Sequence, residues 1–323
     1  MPESETHRAE YDLHLHSYWS HDSTIAPEAY FRWADRLGLK CIAITDHDVF
    51  DAGPELEALT AKYPHIRSPR SVEMLVRTSV GMVDLLCYGL PDPIPADLAP
   101  VLKEQHERLA AKSSRLAAGL TAMGYAPAEF VVKPDNVVAV QGQSLRNATK
   151  FGAALVAKGL FATVEEYTAV MDEAAQRGKE LMGKMSFPRP TAESFIPVIK
   201  ATGALLVLAH PHGSLVRDAE RRPEHLRGNE VAMLDILREE LQLDGLECCN
   251  GPGLPQECVD RHRAYCVKHG LVSTAGRDCH GGKPDMSNEQ VIEKNLGWHL
   301  GANEWLDEFV ARLPCREPEA AAV

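Results

Sequence analysis

The 323-residue chain has 45% hydrophobic residues and a formal net charge of -12, enough apolar content for a sizeable core in one large domain or two small ones. The acidic balance opposes non-specific attraction to a nucleic-acid backbone, so duplex nucleic acid is not an expected partner. The first residues, MPESETHRAE, lack the basic start and apolar run of a signal peptide, and no later stretch is long enough to cross a bilayer. A cytoplasmic protein with no membrane partner is the expectation.

Short apolar runs at residues 11–16, 41–45, 71–76, 82–88, 204–209, 244–248 and 271–276 read as strands, several of them separated by helical patterns. The first run opens "DLHLHSYWSHDS", residues 12–23. His14 and His16 lie two apart, so in a strand their rings project from one face. Two paired imidazoles look like half a metal site; the alternative is a polar edge strand with solvated histidines. Next, "APEAYFRWADRLG" places Tyr30, Phe31, Ala34 and Leu37 at helical spacing, with Gly38 as a stop.

The following strand ends in "AITDHD", with Asp46, His47 and Asp48. "RSVEMLV" sets Glu73 inside an apolar run, and "GMVDLLCYG" does the same with Asp84. After the turn-rich "PDPIPADLAP" the pattern is mainly helical from about 96 to 190, with 12 basic and 9 acidic residues between Lys103 and Arg189. This reads as a helical insertion (96–190) between two parts of one α/β domain (11–95 and 191–300). Within it "EEYTAVMDEAAQRGKEL" reads as a solvated amphipathic helix. Strands resume with "LLVLAHPHG", which ends in His210; "DGLECCN" contains Glu247, and "LVSTAGRDCHGG" delivers Asp278 and His280. Residues 314–323 read as a disordered tail. The eight cysteines show no paired CxxC spacing and read as reduced, mostly buried thiols.

Strands alternating with helices imply a parallel or mixed α/β sheet, of which a closed barrel is one solution. In such barrels the C-terminal strand ends converge on the functional face. Buried polar groups at so many strand ends are costly unless paired or bound to metal. Imidazole and carboxylate ligands without thiolates suit zinc, manganese or iron. Clustered divalent ions suit phosphate-ester hydrolysis, because they neutralise oxygens, generate hydroxide near neutral pH and stabilise the leaving oxygen.

The motifs "DLHLHS", "TDHD", "LAHP" and "GRDCHG", in this order and flanking a helical insertion, resemble the PHP family, named for polymerase and histidinol phosphatase. The resemblance covers residues 11 to 285. It implies a distorted (β/α)7 barrel that holds two or three divalent metals, and most often phosphoester hydrolysis. By position, it assigns His14, His16, Glu73 and Asp278 to a first metal, with Glu73 bridging to a second that His210 also holds. Asp22, His47 and His280 fall to a third. Many members carry the aspartate one place earlier, where this chain has His21; a variant with one extra residue fits Asp22. Asp84 stands where the second metal normally takes an imidazole, and would favour a harder ion such as manganese if it ligates.

In "SLRNATKFGAALVAKG", Arg146 and Lys150 lie four apart on one helical face, a clamp for phosphate or else a solvated face. Lys184 and Arg277 are further phosphate-binding candidates. His212 is either a proton donor to the leaving group or a rim residue. Asp12 and Asp46 adjoin ligand histidines and are expected to orient their second ring nitrogens, with Glu247 doing likewise or forming a buried ion pair. The expected function is a metal-dependent phosphomonoesterase acting on a small phosphorylated metabolite or nucleotide, by attack of metal-bound hydroxide. The alternatives are a 5′-to-3′ exoribonuclease on short RNA and a non-catalytic metal-binding regulatory module.

Overall fold

The computed structural model describes residues 8–20, 22–49, 52–130, 152–157, 159–183, 189–251, 253–281 and 286–314. Seven strands fall where the apolar runs place them: β1 (Tyr11–Leu15), β2 (Cys41–Ile44), β3 (Ser71–Thr78), β4 (Gly81–Tyr88), β5 (Leu205–Leu208), β6 (Gly245–Asn250) and β7 (Val272–Gly276). Between β1 and β2, α1 (Pro27–Leu37) forms with its apolar positions buried, and Gly38 ends it at φ 74, a left-handed conformation that glycine adopts without steric cost. Between β2 and β3 lies α2 (Gly53–Lys62).

The helical stretch contains α3 (Ala99–Ala122), a short 3-10 turn at Pro127–Phe130, α4 (Gly152–Ala157) and α5 (Val164–Met182). Leu120, Phe130, Leu155, Phe161, Tyr167, Met171 and Ala174 form a hydrophobic cluster of their own there. α5 is amphipathic: Tyr167, Met171, Ala174 and Gly178 bury one face of it. The remaining helices are α6 (Ala192–Lys200), α7 (Glu230–Glu240), α8 (Gln256–His269), α9 (Asn288–Asn295) and α10 (Glu304–Arg312). The seven cysteines among the described residues are free and buried.

The strands form a mixed α/β arrangement of two sheets. β1 and β2 pair in parallel, and the other five run in the order β3-β4-β5-β6-β7, antiparallel across β3, β4 and β5 and parallel from β5 to β7. The closed barrel expected from the sequence is not formed among the described residues. Single bridges, Leu15 to Cys279 and His47 to Glu73, stand where continuous ladders would close the ring. The β1–β2 ladder shifts register between Asp12 and Leu15, and β2 stops at Ile44. Those same two seams carry the clustered histidines. No helix among the described residues is long and apolar enough to cross a membrane.

Candidate metal centre

Ligand-type side chains from all seven strands or the loops that follow them gather at one end of the sheets. β1 and its exit supply His14 and His16, both fully buried. β3 brings Glu73, also fully buried, and the exit of β7 brings Asp278. His14 Nε2 lies 3.1 Å from His16 Nε2. Glu73 Oε2 is 3.2 Å from His14 Nε2 and 3.1 Å from His16 Nε2, and Asp278 Oδ1 is 3.5 and 3.2 Å from the same two nitrogens. Donors each about 2.0–2.2 Å from one ion sit roughly 3 to 3.6 Å apart, for right-angle to tetrahedral geometry. The four atoms have that spacing.

Two further groups share residues with the first. Glu73, Asp84 and His210 converge, with His210 Nε2 at 3.2 Å from Glu73 Oε1 and 3.9 Å from Asp84 Oδ2. Glu73 thus turns one oxygen to each side, as a bridging carboxylate must. His16, Asp22, His47 and His280 form the third group. Asp22 Oδ2 is 3.1 Å from His280 Nε2 and 3.5 Å from His47 Nε2, while His47 Nδ1 reaches Glu73 Oε2 at 3.2 Å. The structure brings together Asp22 with these two histidines; His21 lies outside the described residues.

The backbone is bent to present these groups. Of the four non-glycine residues with positive φ among the described residues, Asp48, His210 and Asp278 (φ 56, 31 and 49) adjoin or belong to the cluster. Such conformations cost about 1–3 kcal/mol each and persist where the surroundings impose them. Gly276 lets β7 approach β1 closely, since a Cβ there would lie 2.4 Å from the His14 Cβ. Any larger residue would displace that imidazole.

Burial alone would depress the His14 pKa, but Glu247, Glu73 and Asp278 carry it well above the usual imidazole range. His47 and His210 are likewise raised against burial, to about 10 and about 9, with Glu73 a principal cause in both. Asp84 rises to about 6, from burial and the nearby Glu73 charge. Without a cation among them, protons on the imidazoles must balance the carboxylates. This donor set, all imidazole and carboxylate with converging atoms, fits divalent cations, which would replace those protons.

Glu247, on β6, is the outer partner of a clustered histidine: its Oε1 lies 3.0 Å from His14 Nδ1, and its Oε2 accepts the His210 backbone N–H at 2.7 Å. Asp12 and Asp46 correct the expectation. Asp12 accepts backbone N–H groups from Arg277 at 3.0 Å and Gly297 at 2.9 Å, and Asp46 accepts from the Ser17 backbone and hydroxyl, both at 2.6 Å. Neither makes a hydrogen bond to a ring nitrogen, because backbone donors and the Ser17 hydroxyl occupy their oxygens. His210 Nδ1 instead meets Ser214 Oγ at 3.0 Å, a partner with no sequence signal beyond its i+4 spacing.

The expected phosphate-binding residues Arg146, Lys150 and Lys184 lie outside the described residues. Arg277 directs a guanidinium nitrogen to Asn295 Oδ1. Sequence reading missed a different pair: Arg108 on α3 and Arg189 before α6 both bind Asp48 Oδ2, at 3.0 and 2.6 Å, beside His47. His212 opens a π-helical turn after His210 and lines a cavity with it.

Fold and donor set define an α/β protein with a histidine–carboxylate site of the kind that holds divalent cations. Residues 12–112 match the PHP domain family model, so the family resemblance extends over that stretch by an independent comparison. The fold is similar to that of a candidate metal-dependent phosphoesterase from Bifidobacterium adolescentis, at 24% identity and TM-score 0.63, over 94% of this chain and 96% of that one. It is also similar to an amidohydrolase from Chromobacterium violaceum solved with sulfate and no metal, at 22% identity and TM-score 0.64, over 94% of this chain and 97% of that one. These likenesses are of fold. No curated protein matches the chain.

Proposed function

We propose that the protein is a metal-dependent phosphoesterase that hydrolyses the phosphomonoester of a small metabolite or nucleotide. The observation that carries this reading is the three-group cluster, in which Glu73 faces His14, His16 and His47 with one oxygen and His210 with the other. On this reading the two sheets are a PHP-type barrel opened at two seams. His14, His16, Glu73 and Asp278 hold one ion, Glu73, Asp84 and His210 a second, and Asp22, His47 and His280 a third. Bound there, manganese, zinc or iron would neutralise phosphate oxygens, supply a nucleophile at neutral pH and stabilise the leaving oxygen. Burying such a charged cluster costs several kcal/mol per ion unless it is compensated, so it is retained for chemistry rather than stability.

The chain's own residues do the rest. Glu247 fixes the His14 ring so that Nε2 points into the cluster. Arg108 and Arg189 place two positive charges against one at Asp48, leaving an excess beside His47 that suits an anionic substrate. The fold likeness to a candidate metal-dependent phosphoesterase supports the same direction.

The test is elemental analysis after growth or reconstitution with manganese, zinc and iron, together with a phosphate-release screen over phosphomonoesters and a labelled short RNA. At least two divalent ions per chain, and phosphate release that a chelator abolishes, are expected. One ion or none would sink the multinuclear reading; cleavage of the RNA alone would make the protein an exoribonuclease.

A further inference from the structure

Beside the metal centre lies a cavity of about 50 Å³ whose wall includes His210, His212, Arg217, Glu247, Asn250 and His262. Its position is set by the centre itself, since His210 and Glu247 belong to both. His262 comes from α8, takes no part in the metal centre, and is fully buried. Its Nε2 lies 2.9 Å from Glu230 Oε1, while Arg261 holds the other carboxylate oxygen with two nitrogens at 3.0 and 2.9 Å. A carboxylate held by an arginine is an acceptor, so His262 places a hydrogen on Nε2, and in the neutral ring Nδ1 carries a lone pair. That Nδ1 is buried and has no hydrogen-bond partner.

An orphaned acceptor on a buried ring is unfavourable unless something donates to it. Asn250 lies on the same wall, with its amide nitrogen directed to Glu247 Oε2 at 3.4 Å. An acceptor on a ring that lines the cavity suits an O–H donor. The cavity has room for a few water-sized groups.

We propose that this cavity receives the alcohol portion of the substrate and that His262, held by Glu230, is a specificity-determining residue that accepts a hydrogen bond from a hydroxyl of a sugar or polyol phosphate. The inference rests on the phosphoesterase reading for the placement of the phosphate at the metal centre. Glu230 and Arg261 are positioning residues, acting through the His262 ring.

The test uses a pair of non-hydrolysable probes, 2,3-dihydroxypropylphosphonate and propylphosphonate, titrated into the zinc-loaded full chain by calorimetry, with the His262 ring nitrogens followed by NMR in ¹⁵N-histidine-labelled protein. The diol should bind about tenfold or more tightly than the propyl compound, because a site built to bond a hydroxyl rejects the analogue without it. Only the diol should shift the Nδ1 resonance, and His262→Phe should erase the difference between the probes. Equal affinities in the unmodified protein, or an Nδ1 shift with both probes, would overturn the inference and assign Nδ1 to an ordered water. Phosphate release from simple phosphomonoesters would still stand in that case. Binding of neither probe, with no phosphate released from any phosphomonoester, would overturn the phosphoesterase reading and this inference together.

Discussion

Glu247 Oε1 and His14 Nδ1 lie 3.0 Å apart, both side chains almost wholly buried. The pair joins β6 to β1 across the metal centre and fixes which imidazole nitrogen faces the other donors. Replacing Glu247 with Gln keeps the size but allows the amide to donate, which favours the wrong tautomer. Metal affinity at the His14 group should fall 10- to 100-fold, as for other outer partners of ligating histidines. Competition with a chromophoric chelator measures this, and unchanged affinity would reduce Glu247 to a packing role.

Asp84 stands where the resemblance to the PHP family implies an imidazole. Its carboxylate closes the group with Glu73 and His210, yet stands 3.9 Å from His210 Nε2. Asp84→Ala should lower the stoichiometry by the second ion, while Asp84→His should retain it and shift preference toward zinc. Elemental analysis of both variants decides. Full stoichiometry in the alanine variant would remove Asp84 from the ligand set.

The strands were legible in the sequence because each is a short apolar run, and the clustered side chains were legible because Glu73 and Asp84 interrupt such runs. What the sequence does not encode locally is who meets whom. Asp12 adjoins a clustered histidine in the chain, but backbone donors from residues 277 and 297 take its oxygens. Arg108 and Arg189 stand 60 and 141 residues from Asp48, and as single arginines in helical or loop sequence they carry no signature. His262 reads as one more polar residue on a helix until Glu230, 32 residues earlier, is seen against it. Nor does strand composition say where pairing stops, so the two seams had to be observed.

Asp48 with its two arginines predicts an unequal double-mutant cycle. Removing Arg108 or Arg189 alone leaves the buried Asp48 carboxylate one cation, so each Ala variant should lose about 1–2 kcal/mol of stability. Removing both leaves an uncompensated buried charge, and the loss should exceed the sum of the single losses by about 1 kcal/mol or more. If the excess positive charge serves the substrate, each single variant should also bind inorganic phosphate about tenfold more weakly with metal content unchanged. Additive stabilities and unchanged phosphate affinity would make the pair two independent surface contacts.

His299 anchors the opening strand from the opposite end of the chain, and its protonation should set part of the acid limit of the fold. Its Nε2 donates to the Tyr11 carbonyl at 2.8 Å, and its Nδ1 accepts the Gly301 backbone N–H at 3.2 Å, an arrangement only the neutral ring can make. Burial pushes its pKa down from 6.5 to about 4. Above pH 6.5 the ring is neutral in both folded and unfolded chains, and its contribution is fully present. As the pH falls below 6.5 the unfolded chain takes up a proton that the folded chain refuses, so stability declines until about pH 4, by up to roughly 3 kcal/mol. Other groups titrate over the same range, so the informative quantity is the difference from a variant. His299→Gln retains an N–H for Tyr11 and cannot titrate. Urea unfolding of both proteins at pH 7.5, 6 and 5 should show the unmodified chain losing stability relative to the variant as the pH falls. Parallel pH dependences would mean that His299 takes up its proton as readily in the fold as in the unfolded chain, and that the Gly301 contact is not what holds the loop to β1.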